Sequence, residues 1–162
     1  PITSENMMKM GEGSQCHVCK DLWLAIGFHV TCGHLVKWTR NTLGQMEMKE
    51  EDAGGKNAYD LITAQAAQSK PGANGVMVMP HWLGSGTGYT PPLNPDSRGT
   101  ILGLTIANSK ADIYRAIFEA VCYEVRVILD SYESAGIPIN ELKVSGGGAK
   151  SPFWVISAFY CS

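Results

Sequence analysis

A chain of 162 residues, 44% hydrophobic and 17% charged, has the makeup of one globular domain. Its formal net charge of −2, with lysines and arginines scattered, excludes the concentrated basic face that a nucleic-acid backbone needs. No apolar run approaches the roughly 20 residues that span a bilayer, and the amino terminus lacks the layout of a secretory signal. Five cysteines, an odd number, argue against a disulfide scaffold and for reduced thiols in a cytoplasmic protein.

The segment "CHVCKDLWLAIGF" reads as two short strands around a polar turn at Lys20–Asp21. After Gly33, "HLVKWTRNTLG" suits a helix with Leu35, Val36, Thr39 and Leu43 near one face and Gly44 ending it. "QMEMKEEDAGGKN" reads as a charged surface loop. "AYDLITAQAAQSKPG" reads as a second helix with Tyr59, Ile62 and Ala66 on one face. "GVMVMP" is a continuous apolar run, the pattern of a strand buried on both faces. It runs into a long loop, "HWLGSGTGYTPPLNPDSRG", followed by a strand in "TILGLT".

The strongest helix signal lies in "SKADIYRAIFEAVCYEVRVILDSYESAG". Ser109 and Asp112 fit a capping box, and Ile113, Ala116, Ile117, Ala120, Val121, Ile128, Leu129 and Tyr132 hold a helical stripe. "ELKVSGGG" reads as a strand entering a glycine turn. "SPFWVISAFY" then starts a helix with Pro152 at an early position, where its missing N–H costs nothing. Strands alternating with helices in this order predict an α/β fold, a sheet covered by helices.

Three features could carry chemistry. Gly146, Gly147 and Gly148, between an apolar run and a helix start, suit a loop that receives an anion or a ribose-phosphate. The triplet matches neither the dinucleotide fingerprint nor a Walker A sequence, so a plain strand-to-helix turn is equally open. Cys16 and Cys19, followed by His29 and His34, imitate a zinc site. Only nine residues separate Cys19 from His29, and they read as a strand, so buried free thiols are favoured over metal. Ser85 and Ser145 show no evident histidine partner for a nucleophile, His81 could orient a group in the long loop, and no paired carboxylates stand out.

Three blocks in this order resemble the FGGY family of carbohydrate kinases, specifically its carboxy-terminal lobe. The first is "CHVCKDLWLAIGFHVTCGHLVKWTRNTLG", similar to the family's "CHxxPGxW…GG…LRWFRD". The second is "MPHWLGSGTGYTPPLNPDSRGTILGLT", similar to "LPxxxGxxTPxxDPxxRGxxxGLT". The third runs from "IYRAIFEAVCYEVRVILD" to "VSGGGAKSPFW", similar to the long helix and adenosine loop, "TGGGAKSxxW". The resemblance covers nearly the whole chain and is tightest in its last 85 or so residues.

The resemblance implies the actin-like ATPase (ribonuclease H-like) fold, with ATP and sugar held between two lobes. It also implies transfer of the γ-phosphoryl group of Mg2+-ATP to a sugar or polyol hydroxyl, with a pentulose such as xylulose the leading candidate. Matched by position, Gly146, Gly147 and Gly148 fall on the loop against the adenosine and α-phosphate, and Ser151 on a polar contact to the nucleotide. Gly33 and Lys37 fall on the helix start forming the other wall of the adenine pocket, though Gly33 also reads as a helix-entry glycine and Lys37 as a solvated side chain.

There are departures from the family pattern. Cys19 and Lys20 replace a Pro-Gly turn, and the loop Gly84–Gly99 carries about three extra residues near Gly88–Pro91. The family's "GTS" phosphate segment and catalytic aspartate have no match, since "PITSEN" is no convincing substitute. With Pro1 at the start and Ser162 soon after the glycines, residues 1–162 are expected to be a partial carboxy-terminal domain, incomplete at both ends, without the sugar-binding lobe and inactive alone. A non-catalytic nucleotide-binding or oligomerisation module is the alternative. The apolar stretch with Phe153, Trp154, Phe159 and Tyr160 predicts partial exposure and self-association.

Overall fold

The computed structural model describes residues 13–27, 29–85 and 94–155, without the side chains of residues 13–15 and 23. The extra loop residues near Gly88–Pro91, and Phe159 and Tyr160 of the last apolar stretch, lie outside the described residues.

Strands β1 (Gly13–Cys16) and β2 (Trp23–Ile26) pair antiparallel, Cys16 opposite Trp23 and Gly13 opposite Ile26. The turn between them places Asp21 at φ 62°, a conformation that aspartate tolerates better than most residues. Helix α1 (Cys32–Thr42) follows, burying Leu35 and Thr39 and half-burying Val36 and Leu43, the face that the sequence predicts.

The charged segment expected to be a loop is instead helix α2 (Gln45–Asp52). Its residues are good helix formers, and the glycines that could break it come only at Gly54 and Gly55. Two carboxylates then tie it down. Glu47 is buried and receives Lys110 Nζ at 2.7 Å and Gln65 Nε2 at 2.6 Å. Glu51 receives Arg40 at 2.9 Å and the Asn57 side chain at 2.7 Å. Asn57 in turn caps helix α3 (Ala58–Ala66) by accepting from the Tyr59 N–H at 3.0 Å. Helix α3 buries Ala58, Ile62 and Ala66, whereas Tyr59, expected on the buried face, is exposed beneath the Arg40 guanidinium.

Strands β3 (Met77–Met79) and β4 (Thr100–Leu102) pair antiparallel, with Val78 opposite Ile101. Val78 and Ile101 pack against Ala116 of the long helix, but Met77, Met79 and Leu102 are exposed. The apolar run "GVMVMP" therefore has one covered face here, not two. Among the described residues the sheets are two separate antiparallel pairs, and residues 141–145, expected as a strand, carry no regular secondary structure.

Helix α4 (Lys110–Ser134) organises the molecule. Its start is fixed by Asp112, whose Oδ2 accepts from the Ser109 N–H at 2.7 Å. From Tyr114 to Cys122 every residue is buried, so the predicted stripe is, in this half, a helix enclosed on all sides. That enclosure includes a charged pair. Arg115 Nε donates to Glu119 at 2.7 Å and Arg115 Nη1 to the Ser69 carbonyl at 3.1 Å. Glu119 also accepts from the Gly72 N–H at 3.0 Å. A buried ion pair is tolerated only when its remaining hydrogen-bonding capacity is met, and here it is met by the turn leading into β3. Asp112 fastens the same turn, accepting from Ser69 at 2.6 Å and Asn74 at 2.7 Å. Gly72, Ala73, Asn74 and Gly75 in that turn all have positive φ.

These contacts set the response to acid. The Ser109 N–H, then the Ser69 hydroxyl and Asn74 amide, hold the Asp112 carboxyl far below the usual carboxylate range. Burial pushes Glu47 up, but Lys110 and Gln65 outweigh it and leave it lowered. A depressed carboxyl contributes stability above its unfolded value of about 4 and loses it as pH falls toward the folded value. Urea unfolding should therefore show stability falling below about pH 4, with a shallower fall in Asp112→Asn.

Candidate nucleotide-binding site

The glycine turn follows the exposed segment of Leu142 and Val144. Gly146 has φ 85°, a left-handed conformation open to glycine at little cost, and Gly147 returns to φ −61°, ψ −40°. A single 3-10 turn, Gly148–Lys150, comes next, with the Lys150 N–H donating to the Gly147 carbonyl at 3.2 Å. The Ser151 N–H donates to the Gly148 carbonyl at 3.1 Å, and residues 152–155 form a helical turn beginning at Pro152.

A hydrophobic anchor holds this turn in place. Phe153 and Trp154 meet Phe118 of α4 edge-on, with ring centroids 5.5 and 5.4 Å away, and the Arg115 guanidinium lies 5.2 Å from the Phe153 ring centre. Gly148 lies against Trp154, since a Cβ there would come 3.0 Å from the indole. Gly146 and Gly147 face the other way, with no atom within 4 Å of where a Cβ would stand. The N–H groups of Gly147 and Gly148 donate to no described backbone acceptor. A left-handed residue followed by a right-handed one turns successive N–H groups toward one side, which favours an anion. The turn thus has a packed underside and an open upper side whose N–H groups have no partner among the described residues, which fits a nucleotide's ribose and phosphate.

Ser151 is half-buried beside this surface, and its hydroxyl has no partner among the described residues. Gly33 and Lys37 are exposed one helical turn apart on α1, opposite the buried Leu35 and Thr39. No hydrogen bond or ion pair links them to residues 146–151 among the described residues. Their connection is indirect. Trp154 packs against both the Leu35–Ile117–Val121 cluster and the Tyr114–Phe118 cluster, which also hold α1 through Leu35 and Val36. Among the described residues no three histidine, cysteine, aspartate or glutamate side chains converge as metal ligands, so no Mg2+ ligand set can be named.

Among the described residues, no three of Cys16, Cys19, His29 and His34 form a group that could hold a metal ion. Cys16 and Cys19 are exposed rather than buried, with His17 Nδ1 accepting from the Cys19 N–H at 3.0 Å, while His34 is exposed on α1. His81 does orient the long loop: its Nδ1 is 2.7 Å from Ser97 Oγ, and its Nε2 lies 3.9 Å from Glu124. Ser85 and Asn94 exchange backbone hydrogen bonds of 2.9 and 3.1 Å further along, so the loop base is closed twice. Burial first, and the charge of His81 second, lower the pKa of the nearby His29. Ser97, sixteen positions from His81, carried no local signal that would single it out.

The family model for the FGGY carbohydrate kinases, C-terminal domain, matches residues 7–156. A ribulokinase of Bacillus licheniformis is 35% identical over 107 residues, 65% of this chain and 19% of that protein. A xylulose kinase of Staphylococcus epidermidis is 32% identical over 139 residues, 86% of this chain and 25% of that protein. The crystal structure of xylulose kinase from Rhodospirillum rubrum superposes with a TM-score of 0.73 at 23% identity, over 90% of this chain and 27% of that one, which shows the shared fold. The chain thus spans about a fifth to a quarter of the length of these curated relatives. With its helices, paired strands and glycine turn in the order of that α/β, actin-like domain, the chain belongs to the FGGY family of carbohydrate kinases and corresponds to its C-terminal domain.

Proposed function

We propose that this chain supplies the adenosine-contacting half of an ATP-dependent kinase that phosphorylates a sugar or polyol hydroxyl. The observation that carries this reading is the glycine turn, open and donor-rich above Gly146 and Gly147 and packed below on Phe118. Phosphoryl transfer needs alignment and charge stabilisation more than covalent help from the protein. In this reading Gly146, Gly147 and Gly148 hold the ribose and α-phosphate, Ser151 adds a polar contact, and Gly33 and Lys37 line the adenine side. Mg2+ would neutralise phosphate charge when bound. The base that takes the acceptor's proton and the groups that read the sugar belong to another lobe.

A pentulose is the first acceptor to test, because the names of two of the relatives point to ribulose and xylulose. A cytoplasmic location and self-association through the apolar stretch from Phe153 onward go with the same reading. Calorimetry of the full chain should show saturable Mg-ATP binding, and coupled assays with xylulose, ribulose, gluconate or glycerol should show no turnover. Lack of binding at millimolar ATP would sink the adenosine assignment. Turnover by this chain alone would sink the division of labour between lobes.

A further inference from the structure

The C-x-x-C pair remains unexplained by nucleotide binding. Cys16 is the last residue of β1, and Cys19 lies inside the reversal that leads to β2. The reversal is closed by the His17 N–H donating to the Leu22 carbonyl at 3.0 Å and tightened by the Leu22 N–H donating to the Cys19 carbonyl at 3.4 Å. Inside it, the Cys19 N–H bonds back to His17 Nδ1 at 3.0 Å, bending the chain between the two cysteines. The chain bends at Val18 and Cys19, and with only two residues between the cysteines a disulfide needs their Cα atoms to come within about 4.4–6.8 Å. Both thiols are exposed, and Val18 between them is 98% exposed, so no packing has to be broken for the sulfurs to meet. The other described cysteines differ: Cys122 is buried, and Cys32 is half-buried with its thiol pushed up by burial.

We propose that Cys16 and Cys19 are a reversible dithiol–disulfide site that responds to low-molecular-weight disulfides such as oxidised glutathione. One cysteine thiolate attacks the glutathione disulfide and releases one glutathione thiolate, leaving a mixed disulfide. The second cysteine thiolate attacks the protein sulfur of that mixed disulfide and releases the second glutathione thiolate. The two protons lost by the cysteines end on the two glutathiones, and the pair of electrons reduces the glutathione disulfide. The resulting ring closes over two intervening residues at the tip of a hairpin whose strands pair with each other. Among the described side chains, the hydrophobic clusters on α4 include none from that hairpin, so the bridge leaves those contacts in place.

The full chain treated with oxidised glutathione and analysed by intact mass, with a second portion alkylated for peptide mapping, decides the matter. The expected product is lighter by about 2 Da, carries a Cys16–Cys19 link and reverts with dithiothreitol. Cys16→Ser and Cys19→Ser should each lose that product and instead carry one glutathione, heavier by about 305 Da, on the remaining cysteine. Stable glutathione adducts on both cysteines of the unsubstituted chain would overturn the proposal. So would persistence of the lighter product in Cys19→Ser, or failure of either cysteine to react.

Discussion

Phe118→Ala should destabilise the protein by about 3–5 kcal/mol in urea unfolding and weaken Mg-ATP binding in the same variant. Phe118 is 2% exposed, in one cluster with Ile62, Ala66 and Tyr114, and both Phe153 and Trp154 stand edge-on to its ring. Its removal therefore opens a cavity in the core and takes the support from under the glycine turn. Phe118→Leu separates the two effects. It refills much of the volume but loses both ring contacts, worth about 0.5–1.5 kcal/mol each, so its binding defect should exceed what its milder destabilisation accounts for. Unchanged ATP affinity in a folded Phe118→Leu would show that the turn does not depend on this anchor.

Gly147→Val should leave stability within about 0.5 kcal/mol and cut Mg-ATP affinity about tenfold or more by calorimetry. Gly147 has helical φ and ψ, and no described atom lies within 4 Å of its added Cβ, so the side chain starts into open space. In the proposed site it would meet the ligand laid across the turn. Gly146→Val makes the contrast, because φ 85° penalises any β-branched residue and should lower stability as well. Gly33→Ala adds the remaining control: its site is also open, and alanine suits a helix better than glycine. Reduced affinity there, without reduced stability, would assign Gly33 to the nucleotide wall. Unaltered binding in Gly147→Val would remove the glycine turn from the site.

Much of this arrangement is legible in local pattern. The paired strands around Lys20–Asp21, the Ser109–Asp112 helix start and the turn at Gly146–Gly148 each rest on residues close in sequence. What local pattern missed depends on distant partners. The segment 45–52 looks like a solvated charge run until Glu47 meets Lys110, 63 positions away. Whether "GVMVMP" has one covered face or two depends on what lies beyond Met77 and Met79, and the run of apolar letters is the same either way. Residues 141–145 have strand composition, but strand identity needs a pairing partner, and the described residues offer none. The Ser97–His81 clamp joins two ends of a loop whose letters signal only turns.

Arg115 has a consequence for how the domain comes apart. Its guanidinium donates to Glu119 and the Ser69 carbonyl and also lies 5.2 Å from the centre of the Phe153 ring. The turn before β3 and the platform of the glycine turn are far apart in the chain, yet they hang on one side chain. Local opening of the turn before β3 takes the Ser69 carbonyl from Arg115 and the Gly72 N–H from Glu119, which leaves the buried pair short of hydrogen bonds. Loosening there should therefore be felt at the platform as well.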